Sequence, residues 1–297
     1  MMRSYLRRLY RLLFAFLNSR GEFKLFLNAA LGDIDLRMLA LASEIDYFAG
    51  FVRPVPVRAP FGRSVLVVAP HQDDEAIGCG GALLLQVRAG RDAAVVVLQD
   101  GADGHEELGM TREQMSAIRN DESRRAASVA GLTDAPVFLN HARLENNVAR
   151  AAAEMAELIR ARKVDAVFVP FALDANFDHR CANEIVAEAL RGVSWNVRVF
   201  GYEVWGLCIP NVIVVIDDVI EKKMEMISSF SFANSAIDYV QSTRGLNMFH
   251  SRMLGAGQAK YVERFFELPR EEYIQLVDRL QATAARLTAA SANAGRP

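Results

Sequence analysis

Residues 64–81, SVLVVAPHQDDEAIGCGG, constrain the fold of this chain more than any other stretch. The apolar run at 65–69 is rich in valine and typical of a strand buried on both faces of a sheet. Four polar residues follow it within five positions: His71, Asp73, Asp74 and Glu75. Such a density of charged residues directly after a buried strand is unusual and indicates a function. Open α/β sheets place their functional sites at the carboxyl ends of strands. This stretch therefore predicts a functional site at the end of a parallel strand.

Strand-like and helix-like periods alternate along the rest of the chain. Strand-like runs lie at 65–69, 93–98, 137–139, 166–169, 197–200 and 212–216. Helix-like segments lie at 82–87, 111–130, 147–163, 179–190, 218–228 and 237–253. Thr111 with Gln114 predicts a capping box, and Gly131 predicts the C-cap of the same helix. The alternation predicts an α/β fold, a Rossmann-like three-layer sandwich with a mostly parallel sheet.

Length and composition set the outer bounds. The chain has 297 residues, of which 52% are hydrophobic, enough for one large domain with an appendage. A formal net charge of −2 gives no sign of a nucleic-acid-binding protein. Three cysteines without a C-x-x-C pair favour a reduced, cytoplasmic setting. We predict an N-terminal helical extension and connector at 1–60, an α/β domain at 61–285 and a flexible tail at 286–297.

Residues 1–20 differ from the rest of the chain. On a helix, Arg3, Arg7 and Arg11 share one face, and leucines with Phe16 occupy the opposite face. The apolar run at 12–17 is too short to span a bilayer. A basic amphipathic helix of this kind suits peripheral membrane contact, and it equally suits packing on its own domain or on a second copy in a homo-oligomer.

A second polar loop, FALDANFDHR at 171–180, follows the fourth predicted strand and should lie beside the first loop. Three protein ligands and an open position are the recurring pattern of catalytic zinc. His71, His179 and either Asp73 or Asp74 would supply the three ligands. The remaining carboxylate could then act as the base on a water molecule whose pKa the ion lowers to about 7.

These loops resemble the motifs of the PIG-L/LmbE-like N-deacetylases. Residues 70–75, PHQDDE, are similar to the family's PHPDDE motif, and residues 176–179, NFDH, to its HPDH motif. The resemblance runs from about residue 64 to 206 and includes Asp100-Gly101 and an R-x-x-E pair at Arg119 and Glu122. It implies a zinc-dependent hydrolase that removes an acetyl group from an N-acetylated amino sugar or its conjugate, such as N-acetylglucosamine on a lipid.

The resemblance also implies the site residues. The metal ligands are His71, Asp74 and His179, for Zn²⁺ or another divalent ion such as Fe²⁺. The catalytic residues are Asp73 as general base, Asn176 and Asp178. The residues that bind substrate are Arg119 and Arg143.

Three residues depart from the family pattern. Gln72 replaces a proline and is expected to loosen its loop, Asn176 replaces a histidine that supports the oxyanion, and Arg143 replaces an aspartate that contacts the sugar. Losing one oxyanion donor typically costs about 10² to 10³ in rate. The last two departures keep an alternative open, a family member that binds a glycan or glycolipid without hydrolysing it. An esterase using the same metal is a further alternative.

Overall fold

The computed structural model describes residues 54–206, 208–253 and 257–294. The strands are β1 (Val55–Val57), β2 (Ser64–Ala69), β3 (Asp92–Gln99), β4 (Val137–His141), β5 (Ala166–Pro170), β6 (Arg198–Tyr202), β7 (Val212–Val215) and β8 (Val262–Pro269). The helices are α1 (Asp74–Arg88), α2 (Arg112–Ala130), α3 (Val148–Arg162), α4 (Phe177–Arg191), α5 (Ile220–Ser228), α6 (Ser231–Ala236), α7 (Tyr239–Met253) and α8 (Arg270–Ala294). Two short 3₁₀ helices cover Glu106–Leu108 and Leu144–Asn146.

The eight strands of these described ranges form one sheet in the order β1-β7-β8-β6-β5-β2-β3-β4. Every pairing is parallel except those of β8, which runs antiparallel between β6 and β7. Helices pack on both faces, so the predicted α/β sandwich with a mostly parallel sheet is confirmed.

Side chains of β2 alternate between two hydrophobic cores. Val65 and Val67 belong to one core, and Leu66 and Val68 belong to the other. The unbroken apolar run thus follows from burial of both faces of the strand. In the first core, Phe168 of β5 stacks on Phe200 of β6 with ring centroids 4.6 Å apart.

Several elements differ from the sequence-based expectation. α1 begins at Asp74, inside the first motif, and the helix expected at 237–253 is preceded by the separate helix α6. β1 lies in the predicted connector, and β8 was not predicted at all. The backbone of the expected tail at 286–297 is helical as far as Ala294. The predicted extension and its amphipathic segment at 1–20 lie outside the described residues.

The predicted caps of α2 are confirmed. Thr111 accepts a hydrogen bond from the backbone N–H of Gln114, whose side chain accepts one from the backbone N–H of Thr111. Gly131 ends the helix in the left-handed conformation, with φ of 76°. These caps fix where α2 begins and ends, and α2 supplies two residues to the site region described below.

A buried ion pair supports α1 at a kink. Cys79 has non-helical φ and ψ of −140° and 19°, so the helix restarts after it. The carboxylate of Glu263 on β8 caps the restart by accepting hydrogen bonds from the backbone N–H groups of Gly81 and Ala82, at 2.7 and 2.8 Å. The ammonium of Lys223 on α5 lies 2.7 Å from the same carboxylate, and both side chains are fully buried. This Lys223–Glu263 pair holds the helix that begins with the first motif.

Across the described part of the chain, none of the helices has the length and apolar character needed to cross a bilayer.

Candidate active site

The two motif loops meet at the carboxyl ends of the central strands, around a pocket of about 290 Å³. The two loops lie side by side because β2 and β5 are neighbouring parallel strands, whose carboxyl ends share one edge of the sheet. The pocket is lined by His71, Asp73, Asp74, Ile77, Gln99, Gly101, Asp103, Arg119, Asn176, Asp178, Trp205, Phe232 and Tyr239.

Two imidazoles flank one carboxylate at the base of this site. Oδ2 of Asp74 lies 3.1 Å from Nδ1 of His71 and 3.3 Å from Nε2 of His179. One ligand atom from each of the three residues falls within 4.8 Å of the others, which is the arrangement of a potential metal site. Asp74 and His179 are buried, and the half-buried His71 borders the pocket.

The donor set fits a divalent ion. Neither ring nitrogen of His179 has a hydrogen-bond partner, although the side chain is fully buried. Buried polar groups are normally paired, and an ion shared with Asp74 would pair Nε2. Two imidazole nitrogens and a carboxylate oxygen are a ligand set used by catalytic zinc and by several other divalent ions.

Asp174 supports His179 from behind. Its Oδ1 lies 3.4 Å from Nδ1 of His179 and accepts a hydrogen bond from the backbone N–H of Asn176 at 2.8 Å. Its Oδ2 accepts hydrogen bonds from the backbone N–H groups of Trp205 and Gly206, at 3.0 and 3.1 Å. A carboxylate behind a ligating histidine orients the ring, and this one also ties the ring to the loop after β6. No role was predicted for Asp174 from the sequence, although its place in the second motif loop was a usable signal.

The electrostatics of the cluster favour a cation. Burial opposes the charged imidazole of His71, but the charge of Asp74, the hydrogen bonds to Asp178 and Asp74 and the charge of Asp73 together outweigh burial and raise its pKa to about 10. A similar balance raises the pKa of His179 to about 9. Burial also opposes the charge of Asp74, but the two imidazoles hold the pKa of its carboxyl far below the usual range. Positive charge is therefore stabilised at this point even without a metal ion.

Asp73 occupies a strained position beside the three potential ligands. Its φ of 121° and ψ of −27° lie in a region that L-residues rarely adopt. Such conformations cost about 1–3 kcal/mol each and are concentrated at functional sites. Burial and the neighbouring charge of Asp74 raise the pKa of the Asp73 carboxyl to about 7, against the opposing effect of Arg119. A carboxyl group with a pKa near neutrality is suited to accept and return a proton.

Asn176 and Asp178 border the pocket at the start of α4. Oδ1 of Asn176 accepts a hydrogen bond from the backbone N–H of Asp178 at 2.8 Å, so Asn176 is the N-cap of this helix. The cap occupies the carbonyl oxygen and leaves the amide nitrogen as the donor of this side chain. Oδ2 of Asp178 lies 3.3 Å from Nε2 of His71, and this hydrogen bond lowers the pKa of the Asp178 carboxyl.

The structure brings Arg119 to the site but not Arg143. Arg119 is buried on α2, donates a hydrogen bond of 2.6 Å to the backbone carbonyl of Gln72 and lies 3.4 Å from Oδ2 of Asp73. Arg143 is exposed in the loop after β4 and does not line the pocket. His141 is buried nearby, but its ring contacts Glu154 at 3.0 Å instead of the site.

Three aromatic residues form one wall of the pocket. Trp205 is half exposed and makes an edge contact with Tyr239 at 6.0 Å between ring centroids. Phe232 lies under the guanidinium of Arg119, which is 5.1 Å from its ring centroid. We call Trp205, Phe232 and Tyr239 the aromatic wall. It adds apolar surface to a pocket that the charged residues of the two motifs also line, an arrangement suited to an amphipathic ligand.

Comparison with known proteins agrees with the geometry. The PIG-L family, described as GlcNAc-PI de-N-acetylase, matches residues 66–190. A diacetylchitobiose deacetylase of Thermococcus kodakarensis is 28% identical over 102 residues, which are 34% of this chain and 35% of that relative. The chain thus spans about a third of the length of this curated relative.

Solved structures share the fold. The N,N'-diacetylchitobiose deacetylase from Pyrococcus horikoshii superposes with a TM-score of 0.63 at 22% identity, covering 82% of this chain and 96% of that chain. The 4-carboxy-2-hydroxymuconate hydratase GalB from Pseudomonas putida KT2440 superposes with a TM-score of 0.59 at 21% identity, covering 70% and 96%. One fold therefore serves a deacetylase and a hydratase, so the reaction has to be argued from the site.

Proposed function

Because residues 66–190 match the PIG-L family, we propose that this chain is a metal-dependent hydrolase that removes an acetyl group from an N-acetylated amino sugar or its conjugate. The observation that carries the proposal is the cluster of His71, Asp74 and His179 beside the strained, half-buried Asp73. A potential metal site and a carboxyl group with a pKa of about 7 are the two parts that metal-assisted amide hydrolysis requires.

His71, Asp74 and His179 would hold the ion, and we propose Zn²⁺. When bound, a divalent ion lowers the pKa of a coordinated water molecule to about 7 and polarises a carbonyl group. Asp174 and Asp178 keep the two imidazoles in place, because each carboxylate lies beside a ring nitrogen, at 3.4 Å from His179 and 3.3 Å from His71. These contacts fix which nitrogens remain for the metal.

Asp73 carries the proton during the reaction. Its carboxylate accepts a proton from the attacking water and returns it to the departing sugar amine. Arg119 lies within 3.4 Å of this carboxylate and limits the rise of its pKa, so that a useful fraction is ionised near neutral pH. The amide nitrogen of Asn176 donates to the carbonyl oxygen as negative charge develops there.

The pocket suits a sugar. Its volume of about 290 Å³ is at the small end for ligand sites, so it accommodates a compact group such as one amino-sugar ring with its acetamide. The aromatic wall supplies apolar surface for the C–H face of the ring. Arg119, Asp103 and Gln99 offer donors and acceptors for hydroxyl groups.

Acetate release tests the proposal. The zinc-loaded protein is offered N-acetylglucosamine, diacetylchitobiose and a lipid-linked N-acetylglucosamine, and free acetate is measured beside bound zinc. We expect turnover of at least one substrate and about one zinc ion per chain. His179→Ala should lose both the ion and the activity, whereas Asp73→Asn should keep the ion and lose at least about 10³ in rate.

Two results would contradict the proposal. Full acetate release by Asp73→Asn would remove Asp73 from the role of base. Retained binding of an amino-sugar ligand without release of acetate from any substrate would identify the non-hydrolysing alternative, which Asn176 in place of the family histidine favours.

Peripheral membrane contact through residues 1–20 stays a proposal, supported by the spacing of Arg3, Arg7 and Arg11, which would share one face if this segment were a helix. Deletion of residues 1–20 should reduce co-sedimentation with vesicles that contain anionic lipid, because basic residues near such a surface contribute about 1 kcal/mol each. Unchanged co-sedimentation would favour packing of residues 1–20 on the same chain or on a second copy in a homo-oligomer. Sedimentation velocity distinguishes these two alternatives.

A further inference from the structure

Gln72 lies directly before the strained Asp73, and its surroundings differ from those expected of a loosened loop. The side chain is fully buried. Its Nε2 donates to Oδ1 of Asn120 at 2.9 Å and to the backbone carbonyl of Gln99 at 3.3 Å. Gln72 thus connects the first motif loop to α2 and to the end of β3 through one amide group.

The contacts of Gln72 extend into a chain of amides. Nδ2 of Asn120 donates to Oδ1 of Asn140 at 3.2 Å, and Asn140 has a φ of 54° at the end of β4. Only a side chain that both accepts and donates, such as an amide, can occupy the middle of this chain with these two partners. The first motif loop is therefore linked to three separate elements of the fold.

Gly101 leaves the space that Gln72 fills. A Cβ atom at Gly101 would lie 2.2 Å from Oε1 of Gln72, closer than atoms can approach, and the φ of 66° at this position also favours glycine. A side chain at position 101 would therefore have to displace the amide group of Gln72, so the packing of Gln72 here depends on the glycine.

Hydrogen bonds hold both polar groups of the peptide unit between Gln72 and Asp73. The carbonyl of Gln72 accepts the 2.6 Å hydrogen bond from Arg119, and the N–H of Asp73 donates to Oε2 of Glu75 at 3.2 Å. A residue holds a rare φ only where the surroundings leave it no relaxed alternative. The side-chain anchor of Gln72 completes that constraint from the N-terminal side of Asp73.

We infer that Gln72, anchored by Asn120, is a positioning residue that holds Asp73 in its positive-φ conformation and so keeps the Asp73 carboxylate against the three metal-binding residues. This inference rests on the proposed function for its effect on rate. It does not rest on the proposed function for its effect on the backbone. Without the anchor, Asp73 relaxes to an ordinary conformation and its carboxylate moves away from the reacting water.

Gln72→Met tests the inference, because methionine keeps the length and apolar volume of the side chain and removes its hydrogen bonds. The matched control is Gln86→Met. Gln86 is also fully buried, and its amide also bridges backbone groups, accepting from Phe61 N–H and donating to the carbonyls of Gly62 and Asp92 at 2.9 to 3.2 Å. It lies near the far end of α1 and does not line the pocket.

We expect Gln72→Met to lower kcat by about 10²-fold, since displacement of a reacting group by about 1 Å has an effect of that size. Bound zinc and KM should stay within about twofold of the parent values. Gln86→Met should keep the parental kcat. In an Asp73→Asn background, Gln72→Met should cause no further loss, because its effect passes through Asp73.

Crystal structures of the parent and Gln72→Met proteins supply a readout that needs no substrate. The φ of residue 73 should leave the positive region in the variant and stay there in the Gln86→Met control. An unchanged φ, loss of zinc from Gln72→Met or an equal loss of rate in the Asp73→Asn background would each overturn the inference. If the parent releases no acetate at all, the proposed function fails, while the φ of Asp73 still decides the role of Gln72.

Discussion

Asn176 serves two purposes at once, and substitutions can separate them. As the N-cap of α4 it accepts from the backbone N–H of Asp178, and as a pocket residue it offers an amide donor. Asn176→Asp keeps the cap acceptor and removes the donor, so it should lower kcat by about 10² with little loss of stability. Asn176→Ala removes both and should also cost about 1 kcal/mol in the free energy of unfolding.

Rate measurements and urea denaturation of the two Asn176 variants distinguish these effects. Equal rates for the parent protein and Asn176→Asp would show that the amide does not act on the oxyanion. Equal stabilities for the parent and Asn176→Ala would show that the cap contributes nothing measurable.

Protons and the proposed metal ion would compete for the same residues in the site. Protein stripped of metal has imidazoles at His71 and His179 with pKa values raised to about 10 and about 9. Both rings are therefore protonated at neutral pH, and both protons must leave when the ion binds. The apparent zinc affinity should rise with pH, by up to about two orders of magnitude per pH unit between about pH 6.5 and 8.5.

Competition with a chelator of known affinity at several pH values measures this slope, corrected for the chelator's own protonation. A slope near zero would contradict the shared site. Stability of the stripped protein should move the other way. A raised histidine pKa contributes stability that is complete below the ordinary value of 6.5 and disappears as pH rises through about 9 to 10.

Most of the site residues could be predicted because open α/β sheets place their sites at the carboxyl ends of strands. The exceptions have physical reasons. The motif loops could be placed together because the sheet order follows from alternation of strands and helices. Arg143 could not be placed, because its orientation depends on how the loop after β4 leaves the sheet. The contacts of Gln72 could not be predicted from the sequence either, since they require the space beside Gly101 and a partner on α2.

At the scale of the elements, the Lys223–Glu263 pair makes β8 and α5 part of the support of α1. Glu263→Gln keeps an acceptor for only one of the backbone N–H groups of Gly81 and Ala82, which bind different carboxylate oxygens, and it leaves a buried ammonium without a counter-charge. Breaking a buried pair in this way typically costs about 3–5 kcal/mol. We expect urea denaturation of this variant to show a loss of that size.

The double variant Lys223→Met/Glu263→Gln removes both charges and has the same single cap acceptor as Glu263→Gln. It should recover most of the stability that Glu263→Gln loses, because an apolar side chain replaces the buried ammonium at small cost. If the double variant is no more stable than Glu263→Gln, the ammonium is not the source of the loss.

β8 was missed in the sequence for the same reason that it matters. Its sequence, VERFFELP, interrupts an apolar pattern with Glu263 and Arg264, which read as solvent-facing charges. In the structure, Glu263 is buried against Lys223, and Arg264 forms an ion pair with the carboxylate of Glu203. The desolvation cost of these charges is offset by ion-pair partners that are distant in the sequence. The local sequence pattern gives no indication of those partners.

At the scale of the whole molecule, a metal ion in the proposed site should stabilise the fold, since its ligands come from two separate segments of the chain, one after β2 and one after β5. A ligand that binds only the native state at about one hundred times its Kd adds about 2.7 kcal/mol. For a domain of this size, that corresponds to a rise in Tm of about 5 to 10 °C. Chelation should reverse the rise, and His179→Ala should show none.

Differential scanning calorimetry of the parent protein and His179→Ala, each with zinc and with chelator, makes this comparison. Equal shifts in the two proteins would place the stabilising ion elsewhere. A shift confined to the parent supports one ion held between the motif loops.

The antiparallel insertion of β8 sets the order in which this protein can mature during synthesis. β6 and β7 leave the ribosome well before β8, and each then exposes an unpaired edge where the final sheet has a continuous ladder. The cap of the first-motif helix arrives on the same late strand. A nascent chain can therefore collapse around its early βα units. The helix α1 gains its cap only after residue 263 has left the ribosome. Until then the incomplete sheet depends on protection from aggregation.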